Sequence, residues 1–282
     1  MLRTSHLSRK GIVFSQATFH SNKNSHCCRA YLQRQGVSWE KTCKTKMCSL
    51  ERHGKIFLLK FMEENEHRFT PELCSDILSA LKTVEQSDAR ALVTTNDGKF
   101  YSNGLDLEWM KEDAATRFPL LLREFERVVY HMMKLNVPTI AAVCGHAAGG
   151  GFLFAMAHDY RYMRSDRGFL YNSAVDINVV LPSGSIALQR TKLSPQVFRD
   201  VVLKGIKYTG VEGFGAGLVD SLFEGPTQTL EQAMREANVL ADKPWEKPAY
   251  QGLRMAMYSD AIHKLELDVD QGLHAEDMLK EI

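Results

Sequence analysis

No apolar run in this chain is long enough to cross a bilayer; the most hydrophobic stretches, such as Phe152–Ala157, end within a few residues. A membrane span is therefore not expected. The six cysteines, Cys27, Cys28, Cys43, Cys48, Cys74 and Cys144, show no metal-ligand spacing, and the histidines are scattered. No metal site is expected, Cys144 reads as a core thiol, and a reducing compartment fits this usage. Internal repeats and low-complexity tracts are lacking too, which points to an ordinary globular chain. Neither sign of charge prevails, with 35 Lys and Arg against 34 Asp and Glu.

That balance hides an asymmetry. Residues 1–46 hold nine of the basic side chains and one acid, Glu40, which leaves 26 basic against 33 acidic residues in 47–282, a net of −7. An acidic body argues against a nucleic-acid partner. The extension 1–46 is Ser/Thr-bearing, basic and poor in acids, as organellar transit peptides are. A disordered tail, or sequence upstream of a start at Met47, describes it equally well. It has no apolar core of signal-peptide length.

The 282 residues suffice for one large domain with appendages. From Lys55 the pattern is readable. Ile56–Phe61, Ala91–Thr95, Thr139–Val143 and Tyr160–Arg164 read as strands, evenly hydrophobic as in sheets covered on both faces. Thr70 and Pro71 mark a helix start, followed by Leu73, Ile77, Leu81 and Val84 at helical spacing. An amphipathic helix is expected over Thr116–Leu135, ended by Pro138, and further helices over Gly149–His158, Pro195–Lys204, Val211–Ala216 and Leu230–Leu240. Gly168–Asn178 reads as strand or loop. Alternating strands and helices make the class α/β. The expected division is 1–46 extension, 47–240 core and 241–282 C-terminal helical region.

Two glycine turns carry the chemistry. Thr139–Cys144 runs into Gly145-His146-Ala147-Ala148-Gly149-Gly150-Gly151-Phe152-Leu153, which places bare backbone N–H groups at a helix start, where they can hold an oxyanion. Some forty residues upstream, Ser102-Asn103-Gly104-Leu105-Asp106 forms a second such turn. One donor from each would stabilise an enolate formed from an acyl thioester. Asp106 reads as a turn or capping residue.

Three blocks in register resemble the crotonase, or enoyl-CoA hydratase/isomerase, superfamily: Gly98–Leu107; Val143–Leu153 with His158-Asp159-Tyr160-Arg161; and Gly205–Gly210 with Gly217–Asp220. The likeness spans about Leu50 to Leu240, and Glu66-His67-Arg68 with Val175-Asp176-Ile177 make it most similar to the plant enoyl-CoA delta isomerases. The resemblance implies a crotonase-type spiral of ββα units with C-terminal helices at subunit contacts, assembled as a homotrimer or hexamer. It implies that the backbone N–H groups of Leu105 and Gly150 are the oxyanion donors, with Ser102, Asn103, Gly104, Asp106, Gly149 and Ala174 around the substrate. Arg68 and Phe69 would lie near the CoA nucleotide. The partner implied is an acyl-CoA thioester, with no cofactor beyond the coenzyme A of the substrate. A peroxisomal location in fatty acid β-oxidation is likewise implied, although Met278–Ile282 is not a Ser-Lys-Leu-type signal. A mitochondrion reached through residues 1–46 is the alternative.

Two positions depart from the family pattern. Leu153 stands where hydratases of the family carry a water-activating glutamate, which disfavours hydration. Ala174 stands where isomerases carry the glutamate that moves a proton from C2 to C4, a loss worth about 10²–10⁴ in rate. Asp176 is a weak candidate for a surrogate base, since residues two apart on an extended segment share a face but sit roughly 6–7 Å apart. Two readings stay open: an enoyl-CoA delta isomerase or another enolate-forming enzyme, and a non-catalytic acyl-CoA binder.

Overall fold

The computed structural model describes residues 39–45, 47–62 and 66–271. A transit-like character for residues 1–38 lies outside them. One boundary moves: β1 (Trp39–Lys44) pairs antiparallel with β2 (Cys48–His53), Trp39 opposite His53, so the sheet begins inside the segment assigned to an extension.

β2 turns back as β3 (Ile56–Phe61), and from there the large sheet is parallel: β4 (Ala91–Asn96), β6 (Thr139–Val143), β8 (Tyr160–Arg164) and β11 (Ser221–Phe223), in that order across the sheet. A smaller sheet holds β5 (Phe100–Ser102), β7 (His146–Ala148) and β9 (Phe169–Tyr171) in parallel, with β10 (Tyr208–Thr209) antiparallel at its edge. The same unit recurs: one strand in the large sheet, a sharp turn, one strand in the small sheet, then a helix. β4 and β5 lead to α2 (Leu107–Lys111) and α3 (Ala114–Lys134), β6 and β7 to α4 (Gly150–Met156), β8 and β9 to α5 (Ser183–Lys192).

The uniform hydrophobicity of the strands is explained by cover on both faces. Phe57, Leu59 and Phe61 point into the main core, whereas Ile56, Leu58, Val93 and Ile140 face Leu230, Ala233, Met234 and Ala237 of α8 (Gly225–Ala241). α1 (Pro71–Gln86) starts where expected, with the Leu73 N–H donating to the Thr70 hydroxyl at 3.2 Å. α6 (Pro195–Lys204) and α7 (Gly210–Gly215) follow the third unit.

The C-terminal region is helical as expected, with α9 (Lys247–Met257) and α10 (Ser259–Gln271). α9 is riveted by Arg254, 3% exposed, which donates to the carbonyls of Leu135 and Val137 at 2.8 and 3.1 Å and to the Thr139 hydroxyl at 2.6 Å. α10 packs on α3 and α5 of its own chain. Asp268 on α10 accepts from the Ser183 hydroxyl at 3.0 Å and the Gly184 N–H at 2.6 Å, satisfying the start of α5.

Candidate active site

β5 and β7 are parallel neighbours, so their carboxyl ends lie side by side, and each runs through a glycine turn into a helix. The two turns meet through their main chains. At Gly104 (φ 86) an added Cβ would sit 3.0 Å from the Ala148 carbonyl oxygen and 3.1 Å from the Gly150 nitrogen; at Gly151 it would sit 2.2 Å from the Ser102 oxygen. No L side chain fits between them. Beneath the turns lies an aromatic cluster: Phe69 meets Phe125 at 4.8 Å and Phe154 at 5.7 Å, and Phe61 meets Tyr101 at 5.6 Å between ring centres.

Every buried backbone donor needs an acceptor, and accounting for the turns singles out two. Asn103 N–H donates to Glu66, Gly104 N–H to the Ser102 hydroxyl, Asp106 N–H to Phe69 and Gly149 N–H to Tyr171, at 2.9–3.2 Å. The N–H groups of Leu105 and Gly150 have no hydrogen-bond partner among the described residues. Both residues line one cleft that opens to solvent. Asn103, Gly104, Gly149, Leu153 and Ala174 line it as well, with Leu107, Phe118, Leu122 and Phe125 as its apolar wall.

Other expected residues are placed around the cleft rather than in it. Phe69 is fully buried and contributes its backbone, accepting from Asp106 N–H and donating to Gly104. The Ser102 hydroxyl donates to the His67 carbonyl at 2.7 Å, which ties the first turn to the preceding loop. Asp106 caps α2, accepting from Trp109 N–H at 3.3 Å. Arg68 is half-buried and engaged with Glu66 at 3.0 Å, and this bond holds the Glu66 carboxyl below its ordinary range. Glu66 and His67 adopt left-handed φ values of 55° and 51°, uncommon for residues with a Cβ. Asn103 fixes Glu66 through both backbone and side chain, the latter at 2.7 Å.

Asp176 is a correction. It is exposed, outside the cleft lining, and its carboxylate faces Gly205 at the end of α6, about 3 Å from where a Cβ there would lie. The chain turns at Ser173, whose carbonyl accepts from Asp176 and Ile177, so residues 174 and 176 do not share an extended face.

The block His158–Arg161 proves to be structural. The neutral His158 ring bridges the Thr94 hydroxyl at 2.9 Å and the Phe154 carbonyl at 2.8 Å, and burial pushes its pKa down to about 3. Arg161 ties His158, Leu218 and Asp220 together.

Sequence reasoning missed two residues. Ser185 lines the cleft, and its hydroxyl donates to Glu126 Oε1 at 2.5 Å. Glu126 is fully buried on α3, its Oε2 has no partner among the described residues, and burial pushes its carboxyl up to about 8. The only local signal for Glu126 is a carboxylate following Phe125 on the apolar face of the helix.

A profile of the family described as Enoyl-CoA hydratase/isomerase matches residues 51–281. Enoyl-CoA delta isomerase 2, peroxisomal, of Arabidopsis thaliana is 39% identical over 223 residues, covering 76% of this chain and 93% of that one. Enoyl-CoA delta isomerase 3 of the same plant is 36% identical, covering 78% and 96%. Among solved structures, a probable enoyl-CoA hydratase from Mycobacterium tuberculosis superposes with a TM-score of 0.74 at 19% identity, over 79% of this chain and 93% of that one. An enoyl-CoA hydratase/isomerase family protein from Pseudomonas syringae gives 0.73 at 19%, over 81% and 99%. At such identity these likenesses show the fold, and the expected crotonase-type architecture is met.

Proposed function

The chain belongs to the enoyl-CoA hydratase/isomerase family, and from that membership we propose that it shifts the double bond of a 3-enoyl-CoA to the trans-2 position. The Leu105 and Gly150 N–H groups hold the thioester oxygen. Removing a proton from C2 drives negative charge onto that oxygen, and two preset dipoles stabilise it at the moment it appears. The observation that carries this reading is that these two donors, without partners among the described residues, come from touching turns at one cleft. Leu153 in the lining offers nothing to activate water, which favours isomerisation over hydration.

A second reading has its own support. Ala174 lines the cleft where the family resemblance places the proton-carrying glutamate, and none of the described lining residues is ionisable. A protein that binds acyl-CoA without turning it over fits that lining. Assay of 3-enoyl-CoA turnover, paired with calorimetric binding of a saturated acyl-CoA, separates the two. Turnover supports the isomerase; binding without turnover, with turnover restored by Ala174→Glu, supports the binder; binding of no CoA ester refutes both.

Two plant enoyl-CoA delta isomerases among its relatives are peroxisomal by name, which supports a role in peroxisomal fatty acid β-oxidation. Fluorescent fusions begun at Met1 and at Met47 test this against a mitochondrial location. Homotrimer or hexamer assembly is in keeping with the exposed apolar side chains Leu203, Val211, Phe214, Leu253 and Met257, and sedimentation tests it.

A further inference from the structure

The cleft has an oxyanion site and no ionisable side chain in its described lining, yet a carboxyl lies one residue behind its wall. Among the described lining residues the hydroxyls belong to Ser173 and Ser185, and that of Ser185 is hydrogen-bonded to the buried Glu126. Three helices fix this pair. α3 carries Glu126 and also Leu122 and Phe125 of the wall; α5 carries Ser185 in its first turn; α10 clamps that turn through Asp268. Gly184 makes the clamp close, since a Cβ there would lie 2.8 Å from the Leu265 Cα on α10.

A carboxyl buried with one oxygen unpartnered is costly to keep. A purely structural partner for Ser185 needs no titratable proton, and an amide of the same shape would serve.

We propose that Ser185 is the proton-carrying group of this cleft and that Glu126, seated behind it, is the positioning residue that takes and returns the hydroxyl proton. The inference rests on reading the substrate as a 3-enoyl-CoA. In the first step the C2–H bond breaks and its proton goes to Ser185 Oγ, while the hydroxyl proton passes to Glu126 Oε1. The C–H electron pair enters the dienolate, whose oxygen lies at the Leu105 and Gly150 N–H groups. In the second step Ser185 gives a proton to C4 and recovers one from Glu126, and the dienolate electrons close the C2–C3 double bond. No proton is gained or lost overall.

Burial and the nearby Asp268 both raise the Glu126 carboxyl, and only the Ser185 hydroxyl opposes them, with the balance near 8. The base form is therefore the minor one at pH 7. Turnover climbs as pH rises toward 8 and then levels.

The test uses the full chain with a short 3-enoyl-CoA as substrate and hexanoyl-CoA as the binding probe. Ser185→Ala should lower kcat by about 10²–10⁴, as loss of an acid–base group does. Glu126→Gln should lower kcat roughly tenfold or more and abolish the rise toward pH 8, with hexanoyl-CoA affinity kept in both. Adding Ala174→Glu to Glu126→Gln should restore turnover through a carboxylate that faces the cleft directly. If Glu126→Gln fails to fold, as judged by loss of hexanoyl-CoA binding, kcat and the pH profile of Ser185→Ala decide alone. Parental kcat and pH profile in both single variants overturn the inference and leave the isomerase reading standing. A parent protein that binds hexanoyl-CoA but turns over nothing until Ala174→Glu is made also overturns the inference, and supports the non-catalytic binder in place of the isomerase. Failure of hexanoyl-CoA to bind the parent, or absence of turnover in both the parent and Ala174→Glu, overturns the isomerase reading itself.

Discussion

Substituting Gly104 with alanine separates the geometry of the site from its folding. At φ 86 the backbone lies where an L side chain is strained, and the new Cβ would come within 3.0 Å of the Ala148 oxygen and 3.1 Å of the Gly150 nitrogen. Both neighbours are main chain and cannot swing aside. Left-handed strain costs about 1–2 kcal/mol, and overpacking a tight contact costs about 1–3 kcal/mol, so a total of about 2–5 kcal/mol is expected. Gly217 provides the control: its φ is 77 and nothing lies within 4 Å of the Cβ it lacks. Gly217→Ala should carry the strain alone, about 1–2 kcal/mol. The difference in melting temperature between the two variants, at about 2–4 °C per kcal/mol for a chain of this size, isolates the contact between the turns. The functional readout is sharper. The methyl group would press on the main chain that carries the Gly150 donor and displace it, so kcat on 3-enoyl-CoA should fall by about 10²–10³ in Gly104→Ala and stay unchanged in Gly217→Ala. Equal turnover in both alanine variants would refute the claim that the touching turns form the reacting site.

The other expectations concern buried charge. Arg254→Met removes the cation 3.1 Å from the largely buried Asp159 carboxylate and the donor to the Leu135 and Val137 carbonyls, and should cost about 3–5 kcal/mol in denaturant unfolding. His158 is held neutral in the fold well below its usual pKa. The unfolded chain therefore binds the extra proton as pH falls below about 6.5, and stability drops by roughly 1.4 kcal/mol per unit down toward pH 4; His158→Gln should flatten that acid limb in melts taken across the range. Glu126 has the opposite sign. Its folded pKa lies above its ordinary value, so ionisation destabilises the fold between about pH 4.5 and 8. The melting-temperature advantage of Glu126→Gln over the parent should grow from pH 5 to pH 8.

Much of the framework was legible because its signals are local. Ile56–Phe61 and Thr139–Val143 are apolar at every or nearly every position since both faces of the sheet are covered, by the aromatic core and by α8. Thr70 and Pro71 announce α1 by cap chemistry alone. The two glycine turns could be read because close approach of backbones demands glycine at Gly104 and Gly151. β2 escaped notice because Ser49, Glu51 and Arg52 make it look polar, although Cys48 and Leu50 point into the core. α5 escaped because it opens with Ser183-Gly184-Ser185, residues that ordinarily mark a turn, and its buried face includes Gln189. The Ser185–Glu126 pair could not be read at all. Its members lie 59 residues apart, and only the packing of α5 on α3 joins them.

The central claim is that the Leu105 and Gly150 N–H groups polarise a bound thioester. Isotope-edited infrared spectroscopy of acyl-CoA labelled at the thioester carbonyl measures this directly. Binding should move the carbonyl stretch to lower frequency in the parent protein, and Gly104→Ala should return it toward the value in water. A bound ester whose carbonyl frequency matches that in water would contradict the account.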